Sequence, residues 1–429
     1  MVYKFTNSEK LLKLATSLIP IGAQTFSKSI TQFPLGVSPY FTKSARGSKL
    51  IDVDGNKYID FCSALASVNL GYLDKDVVKS VTNQVKKGSI FSLSHEMEIE
   101  LARKLSNIIP CCEMVKFGKN GSDVTSAAIR VARAYTKKNI VLVCGYHGWQ
   151  DWYISSTSRN KGIPLEVRNL TKKFDYNNIE SLENIFKQHK DDVACVIIEP
   201  MNKFFPKDNF LEKVKDITHK NGSLLIFDEM ITGFRFKIGG ASEYFRVTPD
   251  LATFGKSMAN GYPISAICGK AKYMKMFEEV FFSFTFGGEL VSMAAAIATI
   301  NKIQKCNVID EIANKGKKIR EGVQKIIDKN NLHNHFSITG HPSWLFLDFK
   351  PNNGYSESEI KTLFLQEIFQ CGIITLGTHN LMLAHSSKDI NFLINAYKKV
   401  LPKIARVIDS KELTKHLKCA PIEMLFKVR

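Results

Sequence analysis

Short apolar runs alternate with stretches of helical periodicity from about residue 75 to residue 268, and this alternation constrains the fold more than any other feature. Helical spacing is read near 75–87, 96–108, 122–136 and 209–221. Between and after these fall Met114 to Gly118, Asn139 to Cys144, Ala194 to Glu199, Ser223 to Asp228, Leu251 to Phe254 and Ile264 to Cys268. Strands that are apolar along their whole length are buried on both faces. The pattern therefore predicts an α/β domain whose mostly parallel sheet is covered by helices on both faces. Beyond about residue 300 a Lys-rich helical stretch gives way to apolar runs at Trp344 to Phe349 and Gly372 to Leu376, which predicts a smaller α+β domain. Asp54-Gly55 between alternating apolar residues predicts a hairpin with a tight primed turn, also in the smaller domain. The expected division is 1–60 as the N-terminal segment of the small domain, 61–300 as the large domain and 301–429 as the C-terminal small domain.

Functional groups of such sheets collect at the carboxyl ends of strands. One apolar run ends on Asp228, and the next, Leu251 to Phe254, delivers Gly255 and Lys256. A carboxylate beside a lysine is what pyridoxal phosphate needs, the acid keeping the ring nitrogen protonated and the lysine holding the aldehyde before shuttling a proton. Lys119 to Asp123 adds a Gly121-Ser122 turn opening a helix, where backbone N–H groups and a hydroxyl suit a phosphate. Taken alone, Ser122 is more readily read as an N-cap.

Two segments, Phe227–Arg235 (FDEMITGFR) and Thr253–Pro263 (TFGKSMANGYP), resemble the signature of class III aminotransferases, pyridoxal phosphate enzymes of fold type I. Within that class the chain is similar to glutamate-1-semialdehyde aminomutase, from about Gly36 into the last hundred residues. The resemblance implies pyridoxal 5'-phosphate as cofactor, with Lys256 and Asp228 as catalytic residues and Gly121 and Ser122 at the phosphate. Tyr146 and His147 match the family's Tyr-His-Gly turn, which places Tyr146 on one face of the cofactor ring, and Met230 is expected on the other. Glu199 matches an acid close to the pocket. Thr285, in Phe284-Thr285-Phe286-Gly287-Gly288, matches a threonine that reaches the phosphate of a second subunit, so a homodimer is expected. An amino acid donor and a carbonyl acceptor follow, with intramolecular transfer, as in the aminomutase, as the alternative.

The chain also departs from that pattern. Where the aminomutases carry Ser-Pro-Val-Arg, it reads Ser38-Pro39-Tyr40-Phe41, so Phe41 stands in the place of an arginine that grips a carboxylate. Glu289 and Leu290 replace the family's Asn-Pro. Tyr40, Phe41 and Glu289 together suggest a polyhydroxylated, sugar-like acceptor rather than a dicarboxylic semialdehyde.

Other classes are disfavoured. A P-loop needs glycine where Asp250 stands, and no Gly-x-Ser-x-Gly elbow occurs. His333, His335 and His341 lack metal-ligand spacing, so no metal is expected. The net charge of +18 is spread over dispersed lysines without a nucleic-acid motif, and a field of this sign also suits an anionic, phosphorylated or nucleotide-linked substrate. Nine cysteines without Cys-x-x-Cys point to reduced thiols and a cytoplasmic setting. No run is long enough for a membrane helix, and the lysines among the leucines of residues 10–19 favour an amphipathic helix over a leader peptide.

Overall fold

The computed structural model describes residues 3–423. Its chain forms two units, one joining the N-terminal segment up to Asp74 to the chain from Asp310 onward, the other spanning Lys75–Ile309. These boundaries lie further along the chain than those read from periodicity near 60 and 300.

The N-terminal helix Thr6–Leu18 buries Leu12 and Ala15, while Leu11 and Leu18 face solvent. Strands β1 (Thr42–Arg46), β2 (Lys49–Asp52) and β3 (Lys57–Asp60) follow as an antiparallel meander. The Asp-Gly hairpin is there, but its turn is not primed. Only Gly55 takes a positive φ, 85°, and its N–H donates to the Asp52 carbonyl, so an ordinary turn over Val53 and Asp54 is followed by a left-handed glycine. Asp52 decides this, because its Oδ1 accepts from the N–H groups of Asp54 and Asn56 and draws the loop wider.

The second unit carries β4 (Met114–Gly118), β5 (Ile140–Cys144), β6 (Thr171–Lys173), β7 (Val193–Ile198), β8 (Leu224–Asp228), β9 (Leu251–Phe254) and β10 (Ser265–Gly269). They form one sheet in the order β4-β10-β9-β8-β7-β5-β6. All neighbours pair in parallel except β10, which runs antiparallel to both β9 and β4. Every residue of β5, β7, β8 and β9 is buried, as their unbroken apolar sequences require. Helix Gly121–Thr136 packs Val124, Ala127, Ala128 and Val131 into the same core as Val141, Ile197 and Ile226. Each of these valines and isoleucines contributes roughly 1.5–3 kcal/mol by leaving water. Because β5, β7, β8 and β9 are parallel, Cys144, Ile198, Asp228 and Phe254 end at one edge, and the loops beyond them are brought together. This is a fold type I arrangement, with a large, mostly parallel sheet carrying the site.

In the first unit β11 (Phe336–His341), β12 (Trp344–Phe349) and β14 (Thr378–Asn380) make an antiparallel sheet, and β13 (Ile373–Ile374) pairs in parallel with β3. Four consecutive non-glycine residues here, Ser63 to Ala66, hold φ between 48° and 67°. They are pinned by Asp60 Oδ1, which accepts from the N–H groups of Cys62 and Ser63, and by the Ser63 hydroxyl on the Asn380 carbonyl. The three histidines weighed for a metal each have a different partner: His333 faces Asp328, His335 faces Asp409, and His341 accepts from the Ser343 N–H.

Candidate active site

Asp228 is the last residue of β8 and sits opposite Thr253 of β9. Its carboxylate is buried, with Oδ2 2.8 Å from His147 Nδ1, while Oδ1 accepts from the Met230 N–H at 3.1 Å. Thr253 Oγ1 adds a longer contact of 3.4 Å to Oδ1. His147 arrives on the turn after β5, and the Thr125 hydroxyl of the helix Gly121–Thr136 bonds its carbonyl. Three separate segments thus converge on one carboxylate. Lys256 lies three residues beyond Thr253 on the neighbouring strand. Of residues 251–260 it alone is not buried, and its backbone is held in the left-handed region at φ 39°.

The helix Gly121–Thr136 begins beside these groups. Asn120 occupies the N-cap position, with Asp123 Oδ2 accepting from the N–H groups of Lys119 and Asn120. Ser122 is therefore not the cap. It stands in the first turn, where helical N–H groups lack intrahelical acceptors and the dipole favours an anion. Gly148 is required there, because a Cβ on it would come within 2.7 Å of Ser122 Cβ. Met230 lies between two glycines: its sulfur would be 2.8 Å from a Cβ on either Gly121 or Gly255. One apolar side chain thereby links the helix start, the Asp228 loop and the lysine turn.

Tyr146 is partly exposed, and its ring meets Tyr153 edge-on at 5.6 Å. Buried Glu199, just past β7, accepts from the Tyr146 N–H at 3.0 Å and from Asn202 Nδ2 at 2.8 Å. Glu199 therefore shapes the turn that carries Tyr146.

The remaining sequence candidates are Thr285, Glu289, Tyr40 and Phe41. Thr285 is exposed on the loop before the helix Leu290–Lys305. Glu289 caps that helix, its carboxylate accepting from the N–H groups of Val291 and Ser292 and pairing with Lys119 Nζ at 2.8 Å. That pairing and those bonds hold its pKa below the usual range against the opposing effect of burial. It lines a cleft of about 440 Å3 with Lys119, Asn120, Tyr262 and Phe286. Tyr40 and Phe41 belong to the other unit. The Tyr40 hydroxyl donates to the Pro34 carbonyl and accepts from the Gly36 N–H, so it folds its own turn. Sequence reasoning missed the capping by Asn120 and Glu289, the tie between His147 and Asp228, and the burial of Arg235. The two caps had a signal: Asn120 and Glu289 each stand directly before a helix opening.

The model of the class III aminotransferase family matches residues 33–385. The chain belongs to that family. This class III aminotransferase is 36% identical over 415 residues to the 3-aminobutyryl-CoA aminotransferase of Cloacimonas acidaminovorans, covering 94% of this chain and 99% of that one. It is 31% identical over 435 residues to the glutamate-1-semialdehyde 2,1-aminomutase of Methanosphaera stadtmanae, with 94% and 99% covered. Among solved structures, the pyridoxal phosphate-bound FumI protein of Sphingopyxis sp. MTA144 superposes with a TM-score of 0.87 at 25% identity, covering 96% of this chain and all of that one. Pyridoxal phosphate is the cofactor of this aminotransferase. The residues fit it: a buried carboxylate at a strand end, a helix start opened by glycines, and one accessible lysine on an otherwise buried turn.

Proposed function

We propose that this aminotransferase moves an amino group from an amino acid to a separate carbonyl acceptor carried on an anionic, nucleotide-linked group. When bound, pyridoxal phosphate supplies an electron sink for the carbon that loses or gains the amino group. Asp228 would hold a proton at the ring nitrogen, and His147 fixes that carboxylate by the 2.8 Å contact at Nδ1. Lys256 would hold the cofactor covalently and would supply the amine that moves the proton at the substrate carbon. Gly121 and Ser122 would bind the phosphate, with Tyr146 and Met230 on opposite faces of the ring. The observation that carries these roles is the placement of Asp228 and Lys256 beyond adjacent parallel strands, with Asp228 paired to Thr253.

The acceptor class rests on what the polar groups already do. Tyr40 bonds within its own turn and Glu289 within its own helix and to Lys119, which weighs against a sugar-like acceptor. Phe41 offers nothing to a substrate carboxylate, which argues against the aminomutase reaction. A net charge of +18 favours a multiply anionic substrate, as does similarity along 94% of the chain to an enzyme named for a coenzyme A thioester. A panel of 3-oxoacyl-CoA thioesters, keto sugars and glutamate-1-semialdehyde, each with amino acid donors, tests this. Preferential turnover of the thioesters is expected. Efficient conversion of glutamate-1-semialdehyde to 5-aminolevulinate would overturn the reading.

The active unit is proposed to be a homodimer. Phe281, Phe284 and Phe286 are exposed around Thr285, and Ile90, Phe91 and Leu93 are exposed on the segment joined to it where the Leu290 N–H donates to the Ser89 carbonyl. Exposed apolar surface on this scale suits a partner. Thr285→Ala is expected to weaken cofactor retention without dissociating the dimer, and sedimentation of a cofactor-saturated monomer would contradict the dimer. All nine thiols are free, which supports a reducing compartment such as the cytoplasm. No helix among the described residues is long and apolar enough to cross a membrane.

A further inference from the structure

The loop that leaves Asp228 returns to the lysine turn. It passes Met230, lies flat on β9 at Gly233, where a Cβ would come within 2.4 Å of Phe254 Cδ1, and reaches Arg235. Arg235 is fully buried, and its Nη2 donates to Ser257 Oγ at 3.2 Å. Ser257 is itself fully buried and directly follows Lys256. A guanidinium is costly to remove from water, and a non-glycine residue in the left-handed region persists only where its surroundings over-determine it. Both features occur within this one contact. Burial lowers the Arg235 pKa to about 10, which leaves it charged at neutral pH.

We propose that Arg235 is a positioning residue for Lys256, acting through Ser257. The guanidinium holds the serine, the serine fixes the start of the short helical turn Lys256–Ala259, and Lys256 keeps the left-handed backbone from which its amine must reach the cofactor. The short loop from Asp228 to Arg235 thus sets the acid and the lysine in register with each other. A planar, multiply donating cation suits this task better than an ammonium, because its donors are fixed relative to one another.

This rests on Lys256 being the lysine that attaches pyridoxal phosphate. The test is the rate at which apo-protein acquires a borohydride-stable pyridoxal phosphate adduct, followed by mass spectrometry, in Ser257→Ala, Ser257→Thr, Arg235→Lys and Arg235→Met. Uncoupled uptake is measured separately as the cofactor Kd in the same variants on a Lys256→Ala background. Attachment is expected to slow about tenfold or more in Ser257→Ala and Arg235→Met, with Kd unchanged and with Ser257→Thr restoring the native rate. Native attachment rates in Ser257→Ala, or equal impairment of the Ala and Thr variants, would overturn the proposal. Should Arg235→Met fail to fold, the serine pair decides alone. A borohydride-stable adduct persisting in Lys256→Ala would instead remove the underlying assignment of the lysine.

Discussion

Asp228 is the residue on which the proposed site depends, because a buried carboxylate that already holds His147 and the Met230 N–H would have one orientation to offer a cofactor ring. Asp228→Asn keeps the shape and removes the charge. It is expected to leave the borohydride-stable adduct intact and to lower kcat by at least ~100-fold, since a neutral amide cannot hold a proton at the ring nitrogen. Single-turnover kinetics with a good amino donor check this, and an unchanged rate shows that another acid does the work. Lys256→Ala is expected to lose the adduct and to lower kcat by several orders of magnitude, because anchor and proton carrier disappear together. These two residues are proposed from the sequence because strand ends and the family's motifs both point to them. His147 was legible only as part of a turn. Its bond to Asp228 joins residues 81 positions apart, and no local pattern encodes that.

At the scale of elements, the apolar strands of the large sheet were readable from their runs, whereas the polar edge strand β6, Thr171–Lys173, and the direction of β10 were not. Ser265–Gly269 is as buried as the parallel strands β5, β7, β8 and β9, and burial on both faces looks the same in either direction. Turn chemistry was read partly wrongly for a similar reason: Asp54-Gly55 signals a tight hairpin, but the competing bonds to Asp52 widen it. Nor does anything in Ser63-Ala64-Leu65-Ala66 suggest a left-handed turn, since none of the four is glycine. L-residues in that region carry roughly 1–2 kcal/mol of strain each, and glycine relieves it at the price of about 0.5–1 kcal/mol of added unfolded-state freedom. Ala64→Gly, at φ 48°, is therefore expected to raise stability by up to about 1 kcal/mol, the reverse of the usual effect of introducing glycine. Urea denaturation checks this through a shift of the midpoint at constant slope.

For the whole molecule, acid sensitivity and order of assembly follow from the first unit. His379 of β14 is fully buried, and burial first, then the neighbouring His385, lower its pKa from 6.5 to about 4. The unfolded chain binds a proton that the folded chain refuses, so stability is full above about pH 6.5 and falls as pH drops toward 4. The loss should reach about 2 kcal/mol by pH 5. His379→Gln, which retains a side chain able to bond the Tyr397 hydroxyl, is expected to flatten this dependence between pH 7 and 5, and urea midpoints at the two values measure it. The pairing of β3 with β13 has a different kind of consequence. Ile59 waits for Ile373, so the ribosome must add 314 residues (373 − 59) before the first unit can close its sheet. At about 5–20 residues per second this is roughly 16–60 s of synthesis. Lys75–Ile309 is continuous and emerges whole during that interval. On a nascent chain the second unit is thus complete while the first still lacks its final strands, and a transcript truncated near residue 310 would leave the meander β1-β2-β3 with the edge that takes β13 unpaired.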